Sequence, residues 1–232
     1  MIAIIAAMEE EIDYLVQTMT NKNKRIIANV HFYEGLIADQ RIVLLKSGIG
    51  KVNAAMATTL LHEHYKPQYV INTGSAGGYS DDLNVGDVVI SKDIVYHDVD
   101  ATSFNYNYGQ VPGMPERYIA DSTLLKVTKY AIDELQIPNA RGTIATGDSF
   151  MNDQNRVNFV KKQFPTLIAV EMEAAAIAQV CYHYETPFVV IRALSDIAGK
   201  QSTVTFEQFL KTAAKNSSEI VIGTVRHLDT VN

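Results

Sequence analysis

The sequence predicts an α/β fold: one three-layer domain over residues 1–232, with a central twisted, mostly parallel mixed sheet flanked by helices. Three observations predict it. Short β-branched runs recur along the chain, amphipathic helical patterns fall between them, and several of the runs are continuously apolar. Strands covered by helices on both faces read in that continuous way, and alternation of strands with helices is the pattern of a parallel sheet.

Taken in order, Ile2–Ala7 is the first strand, and Glu9-Glu10-Glu11 after Met8 opens a helix. Arg41–Lys46 comes next as a strand. Lys51–His64 is a helix whose Val52, Ala55, Met56, Thr59 and Leu60 share the spacing of one buried face. Gln68–Asn72 is a strand ending in the glycine turn Gly74–Gly78, Tyr79–Gly86 a loop, and Asp87–Ser91 a strand. His97–Arg117, with Pro112, Pro115 and several tyrosines, is a long irregular stretch of the kind that carries function. Ser122–Leu135 is a helix with Leu125, Val127, Ala131 and Leu135 inward. Gly142–Thr146, Leu167–Val170 and Phe188–Ala193 are strands, and Ala174–Tyr184 and Phe206–His227 are helices. No repeat or Pro/Gly/Ser linker divides the chain.

Composition excludes several classes. Of 232 residues, 47% are hydrophobic and 20% charged, an ordinary globular balance. The net charge is −6 with no basic block, which argues against nucleic-acid binding. The opening MIAIIAAMEEE is too short to span a bilayer and has no basic flank, so neither a signal peptide nor an anchor is expected. A single cysteine, Cys181, forms no internal disulfide and points to a reducing compartment, the cytoplasm. The six histidines show no metal spacing; His97-Asp98-x-Asp100 reads as surface pairing, and neither metal nor cofactor is expected.

In open α/β sheets ligands bind beyond the carboxyl ends of the strands. The segments at those ends here are Met8–Glu11, Ser47–Gly50, Thr73–Gly78, Gly147–Met151, Glu171–Glu173 and Leu194–Asp196. Carboxylates, glycine turns and a Phe–Met pair thus meet at one edge. Each has a plain reading beside the functional one. The Glu9–Glu11 run complements a helix dipole, or Glu11 does chemistry. Glu171 and Glu173, two apart on a helix, point to opposite sides, so at most one faces a site. Ser195 or Asp196 caps a helix, or Asp196, ending an apolar run, is a carboxyl group with a shifted pKa. Gly74–Gly78 lacks the G-x-G-x-x-G spacing of a dinucleotide site, and Ser75 lacks a G-x-S-x-G frame.

Together the stretches AAMEEE (6–11), KSGIGKVNAA (46–55), INTGSAGG (71–78), YHDVDAT (96–102), TGDSFM (146–151), AVEMEAAAIA (169–178) and FVVIRALSD (188–196) resemble the 5′-methylthioadenosine/S-adenosylhomocysteine nucleosidases of the purine nucleoside phosphorylase superfamily. The resemblance runs the length of the chain and implies a nucleoside phosphorylase-like fold. It implies hydrolysis of the N-glycosidic bond of 5′-thio-substituted adenosines, 5′-deoxyadenosine included, through an oxocarbenium-like transition state. By resemblance Asp196 is the acid that protonates the purine at N7, and Glu11 activates water. Glu173 grips the ribose hydroxyls with Met172 against the sugar, Phe150 stacks on adenine, and the Met151 backbone reads its edge. Ser75 and Gly77 lie near purine and ribose and Ile49 near the 5′ end. Met8, Glu171 and Phe206 complete the binding set, with Ser195 and Arg192 supporting the acid. Phe104, Tyr106 and Pro112 are implied to reach the neighbouring subunit's pocket, making a homodimer. Asn105 and Asn107 stand where a glycine and an acid are expected, a departure that bears on the 5′ substituent.

The alternative within the superfamily is a phosphate-dependent phosphorylase. Phosphate needs fixed cations, and such enzymes tend to place arginine two residues before the glycine that here is Gly74; this chain has Asn72. Three glutamates after the first strand would repel phosphate, so the expected nucleophile is water. A signalling receiver would need a lone phospho-acceptor aspartate that INTGSAGG does not supply, and a sensor without catalysis would not need Glu11, Glu173 and Asp196 together.

Overall fold

The structure, a computed structural model, describes residues 1–80, 82–198 and 202–228, the side chains of 202–204 excepted. Its elements in chain order are β1 (Ile2–Ala6), α1 (Glu9–Thr18), β2 (Thr20–Ile27), β3 (Val30–Ile37), β4 (Gln40–Lys46), α2 (Lys51–Tyr65), β5 (Tyr69–Gly78) and β6 (Val88–Tyr96). After a 3-10 turn at Thr102–Phe104 come β7 (Tyr118–Ile119), α3 (Ser122–Leu135), β8 (Asn139–Thr146), α4 (Gln154–Gln163), β9 (Leu167–Glu171), α5 (Ala174–His183), β10 (Phe188–Ile197) and α6 (Ser202–Leu228). No helix among the described residues is long and apolar enough to cross a membrane.

All ten strands join one mixed sheet in the order β10-β6-β8-β9-β5-β1-β4-β3-β2, with β7 added on β6. The chain thus has the α/β architecture, a mixed sheet flanked by helices, that its sequence predicts. Parallel pairing joins β4–β1–β5–β10 and β6–β8–β9, while the antiparallel ladders are β2–β3–β4, β10–β6, β6–β7 and β5–β9. Because β10 also pairs β5, the strands β5, β10, β6, β8 and β9 close on themselves. Along one edge of β5, residues 69–72 pair with β1 and 77–78 with β9. Between those stretches, Thr73–Ala76 face a gap where β1 has ended and β9 has not begun.

Helices cover both faces. Ile5, Val43 and Leu45 point to α2 and α5, and Ile4, Ile42 and Leu44 to α1, α3 and α6. Asp121 and Asp153 cap α3 and α4, accepting from the Leu124 and Arg156 amides at 2.9 and 2.8 Å.

Three expectations are corrected, and the sheet holds a hairpin that the sequence reading lacks. The hairpin β2–β3 goes unread in sequence because β2, TNKNKRII, is polar and exposed and shows no apolar run. The glycines after Asn72 are not a turn: β5 continues through Gly78 along β10. Strand β10 likewise runs to Ile197, so Ser195 and Asp196 lie within it and cap no helix. Of the α2 face expected inside, Val52 is 79% and Met56 42% exposed and Thr59 is exposed too, while Ala55 and Leu60 are partly buried against the core. The helix instead packs its Ala54, Ala57 and Leu61 with the alanines of α5, because small residues let the two helices approach closely.

Candidate active site

The gap beside β5 opens into a cavity of about 230 Å³, and the residues around it come from seven stretches of the chain. Glu11 enters from the first turn of α1. It is 1% exposed, and both oxygens are occupied: Oε2 accepts the Ala7 and Met8 amides at 3.0 and 3.1 Å, and Oε1 accepts the Ser75 amide and hydroxyl, each at 2.9 Å. Ser75 can reach it because the edge of β5 opposite β10 has no strand neighbour there. The strand passes between Glu11 and Arg192 only as glycine: a Cβ on Gly74 would lie 2.6 Å from Glu11 Oε1 and 2.5 Å from Arg192 Nη1, and its φ is +143°.

Arg192, on β10, is buried at the back of the cavity. Its Nη2 donates to Asn72 Oδ1 at 2.9 Å and Glu171 Oε2 at 2.5 Å, and lies 3.4 Å from Glu173 Oε2; Nη1 donates to the Thr73 carbonyl at 3.3 Å. A charge withdrawn from water needs such partners. The planar guanidinium supplies enough donors in one plane to bind several at once.

Glu171 and Glu173 both face Arg192, contrary to the expectation that they diverge. They do not share a helix: Glu171 ends β9 and Glu173 caps α5. Glu171 accepts from the Thr146 hydroxyl and from the Glu173 and Ala174 amides, so it is tied to the start of α5. Glu173 Oε1 accepts the Gly50 amide at 2.9 Å, and burial beside the Glu171 charge holds its carboxyl well above the usual carboxylate range, against the pull of Arg192 and Gly50.

Asp196 sits across the cavity, 3% exposed. The β5–β10 register slips between Leu194 and Asp196, a bulge that turns the carboxyl toward Gly77. Its Oδ1 accepts the Ser195 hydroxyl at 2.9 Å, but burial outweighs that bond and pushes its pKa up to about 6. At the remaining end, Phe150 meets Phe206 edge to face at 5.8 Å, with Met151 buried beside them.

The cavity therefore gathers Met8, Glu11, Ile49, Ser75, Gly77, Phe150, Met151, Glu171, Met172, Glu173, Arg192, Ser195, Asp196 and Phe206, all singled out from sequence. Phe104 and Pro112 are exposed and Tyr106 half-buried, and none of the three lines it in this chain. Sequence reasoning missed the small residues Ala7, Ala76, Ser149, Val170 and Ala198, which give space without a chemical signature. It missed Thr146 too, whose signal was its place at a strand end. His97 corrects the surface-pairing expectation: it is wholly buried, and neither ring nitrogen has a hydrogen-bond partner on another described residue.

A model of the phosphorylase superfamily matches residues 1–226. A 5′-methylthioadenosine/S-adenosylhomocysteine nucleosidase of Anoxybacillus flavithermus is 60% identical over 221 residues, 95% of each chain. One of Bacillus subtilis is 58% identical over 228 residues, 98% of this chain and 99% of the relative. Among solved structures, the Neisseria meningitidis nucleosidase in complex with methylthio-immucillin-A superposes with a TM-score of 0.96 at 46% identity, covering 97% of this chain and 98% of that one. With this cavity and this likeness over nearly its whole length, the chain belongs to the phosphorylase superfamily and, within it, to the 5′-methylthioadenosine/S-adenosylhomocysteine nucleosidases.

Proposed function

We propose that the protein hydrolyses the N-glycosidic bond of 5′-methylthioadenosine and S-adenosylhomocysteine, and of 5′-deoxyadenosine, to adenine and the 5′-substituted ribose, with water as nucleophile. The observation that carries the mechanism is the contrast between two carboxyl groups of one cavity. Asp196 is held near pKa 6 by burial with a single side-chain hydrogen bond, whereas Glu11 is fixed by four donors. A carboxyl group that burial helps to keep its proton suits the acid, and one held in place by several donors is oriented to serve as the base. Asp196 gives its proton to N7 as the bond to the ribose carbon breaks and its electrons pass into the purine. Glu11 takes a proton from the water whose oxygen bonds to that carbon. Glu173 accepts hydrogen bonds from the ribose hydroxyls beside Met172, Phe150 stacks on the base over Met151, and Met8, Ile49 and Phe206 enclose the 5′-thioether.

Water is favoured over phosphate by the charges. Arg192 is the only cation among the described residues lining the cavity, and its fork is engaged by Asn72, Glu171 and Glu173. Product analysis with methylthioadenosine, with and without phosphate, tests the reading. Adenine and free methylthioribose at a rate indifferent to phosphate is the expected result; a sugar 1-phosphate would overturn it.

The protein works as a homodimer in this reading, with Phe104, Tyr106 and Pro112 completing the neighbour's cavity at the 5′ end. Support comes from large apolar side chains turned to solvent: Ile49 at the cavity, Val52 and Met56 on α2, and Phe104 are 42–79% exposed. Sedimentation equilibrium giving a monomer at micromolar concentration would refute it. A cytoplasmic enzyme of nucleoside recycling, containing no metal or cofactor, is the corresponding whole.

A further inference from the structure

We propose that His97 and Asp98 are positioning residues for base recognition, fixing the Gly147–Met151 segment from beneath. This rests on the reading above that Phe150 and Met151 receive the base. His97 is 0% exposed, and its two ring nitrogens find no partner on another described residue. With no ring hydrogen bond to another described residue, the imidazole acts on its surroundings through contact. A Cβ built on Gly147 would fall 2.6 Å from His97 Nε2 and 2.8 Å from Nδ1, and closer still to Cε1. Gly147 has no positive φ, so space rather than backbone conformation forbids a side chain there. The imidazole edge lies directly against the Gly147 backbone.

The neighbouring residue holds the next link. Asp98 Oδ2 accepts the Asp148 amide at 2.9 Å and Lys51 Nζ at 2.7 Å, and Asp148 Oδ1 accepts the Lys51 amide at 2.8 Å where α2 begins. The His97 amide itself donates to the Thr146 carbonyl at 2.8 Å, and its carbonyl accepts the Tyr108 hydroxyl at 2.9 Å, so the pair cannot drift from the end of β8. Residues 147 and 148 are thus each gripped by one member of the pair, immediately before Phe150. Burial lowers the His97 pKa, which keeps the ring uncharged against the loop. The anchors of Glu11 and Asp196 come from residues 7, 8, 75 and 195 and owe nothing to this segment. Displacing it therefore weakens base binding more than it slows the chemical step.

A double-mutant cycle tests this, with methylthioadenosine kinetics and inhibition by adenine as readouts. Gly147→Ala forces the loop off the imidazole and should raise both KM and the adenine Ki about tenfold, with kcat falling less than about threefold. His97→Ala removes the obstacle, so the double variant should match His97→Ala within about twofold. Multiplying, independent penalties would overturn the proposal, as would a kcat loss with adenine binding unchanged. Should the His97 variants fail to fold, Asp98→Ala supplies the same readout: a raised Ki with kcat held supports the proposal, and an unchanged Ki overturns it. Wild-type protein that releases no adenine overturns the functional reading and this inference together, whereas active wild type with unaltered variants overturns this inference alone.

Discussion

The Arg192 guanidinium and the Glu171 carboxylate meet at 2.5 Å with their side chains 1% and 2% exposed. Neither partner has water to fall back on, so each depends on the other and on the bonds around it. Glu171 is in turn fastened to the start of α5, which places Glu173 as the helix cap. Glu11, Glu171 and Glu173 surround a single guanidinium, a surplus of acidic groups that suits a developing cation and repels a phosphate.

Removing that cation strands two carboxyl groups in the interior. Arg192→Leu should destabilise the protein by about 3–5 kcal/mol. Chemical denaturation at neutral pH measures this, and a loss below about 1 kcal/mol would show that the pair is compensated elsewhere.

Asp196→Asn should abolish most activity and yet stabilise the fold, because the buried charge is what costs. The native pKa of about 6 lies above the reference value of 3.8. The native state therefore binds more protons between those values, and the wild type loses stability as pH rises through that window. The variant should exceed wild type by roughly 3 kcal/mol above pH 6, the difference vanishing below pH 4. In wild type, log kcat/KM should fall as pH passes about 6, since the proton donor is then ionised. A variant no more stable at pH 8 than at pH 4, relative to wild type, would contradict the assignment.

Glu11→Gln should reduce kcat by about 10²–10⁴, the worth of a proton-transfer group. It also turns an amide NH₂ toward donors that Glu11 now satisfies, costing about 1–3 kcal/mol of stability. Single-turnover kinetics on the folded variant check the first effect, and a rate within about threefold of wild type would remove Glu11 from the chemistry.

Gly74→Ala should disable the site without replacing any catalytic group. The new methyl falls between Glu11 and Arg192 at a φ of +143°. Loss of at least about 2 kcal/mol together with loss of activity is expected, because strain and clash add. A stable, active variant would mean that β5 can move away from both side chains.

The sheet was legible where strands are apolar throughout, because burial on both faces leaves an uninterrupted run, as in Ile2–Ala6. It was illegible at β2, whose polar side chains say nothing of the ladder its backbone makes with β3. Gly74, Gly77 and Gly78 misled for another reason: they are in extended strand, and they are glycine because Glu11, Arg192, Asp196 and Leu194 crowd them from distant parts of the chain. The cavity's chemistry-bearing residues could be found because they sit just past strand ends. The partnership of Asn72 with Arg192 could not, since it joins residues 120 positions apart that only the β5–β10 pairing brings together. Val52 and Met56 carry the same lesson reversed, since periodicity reports an apolar face without saying what covers it.

The break in strand pairing beside β5 gives one backbone amide an unusual role. Ser75 N–H donates to the Glu11 carboxylate. Its rate of exchange with solvent deuterium is governed by that acidic group as well as by the opening of the sheet. A ligand or substitution that draws Glu11 aside would unprotect this single amide while Ile71 and Val189, paired in the same ladder, stay closed. The polypeptide backbone thus carries its own reporter of the catalytic carboxylate, readable without a substrate or a product.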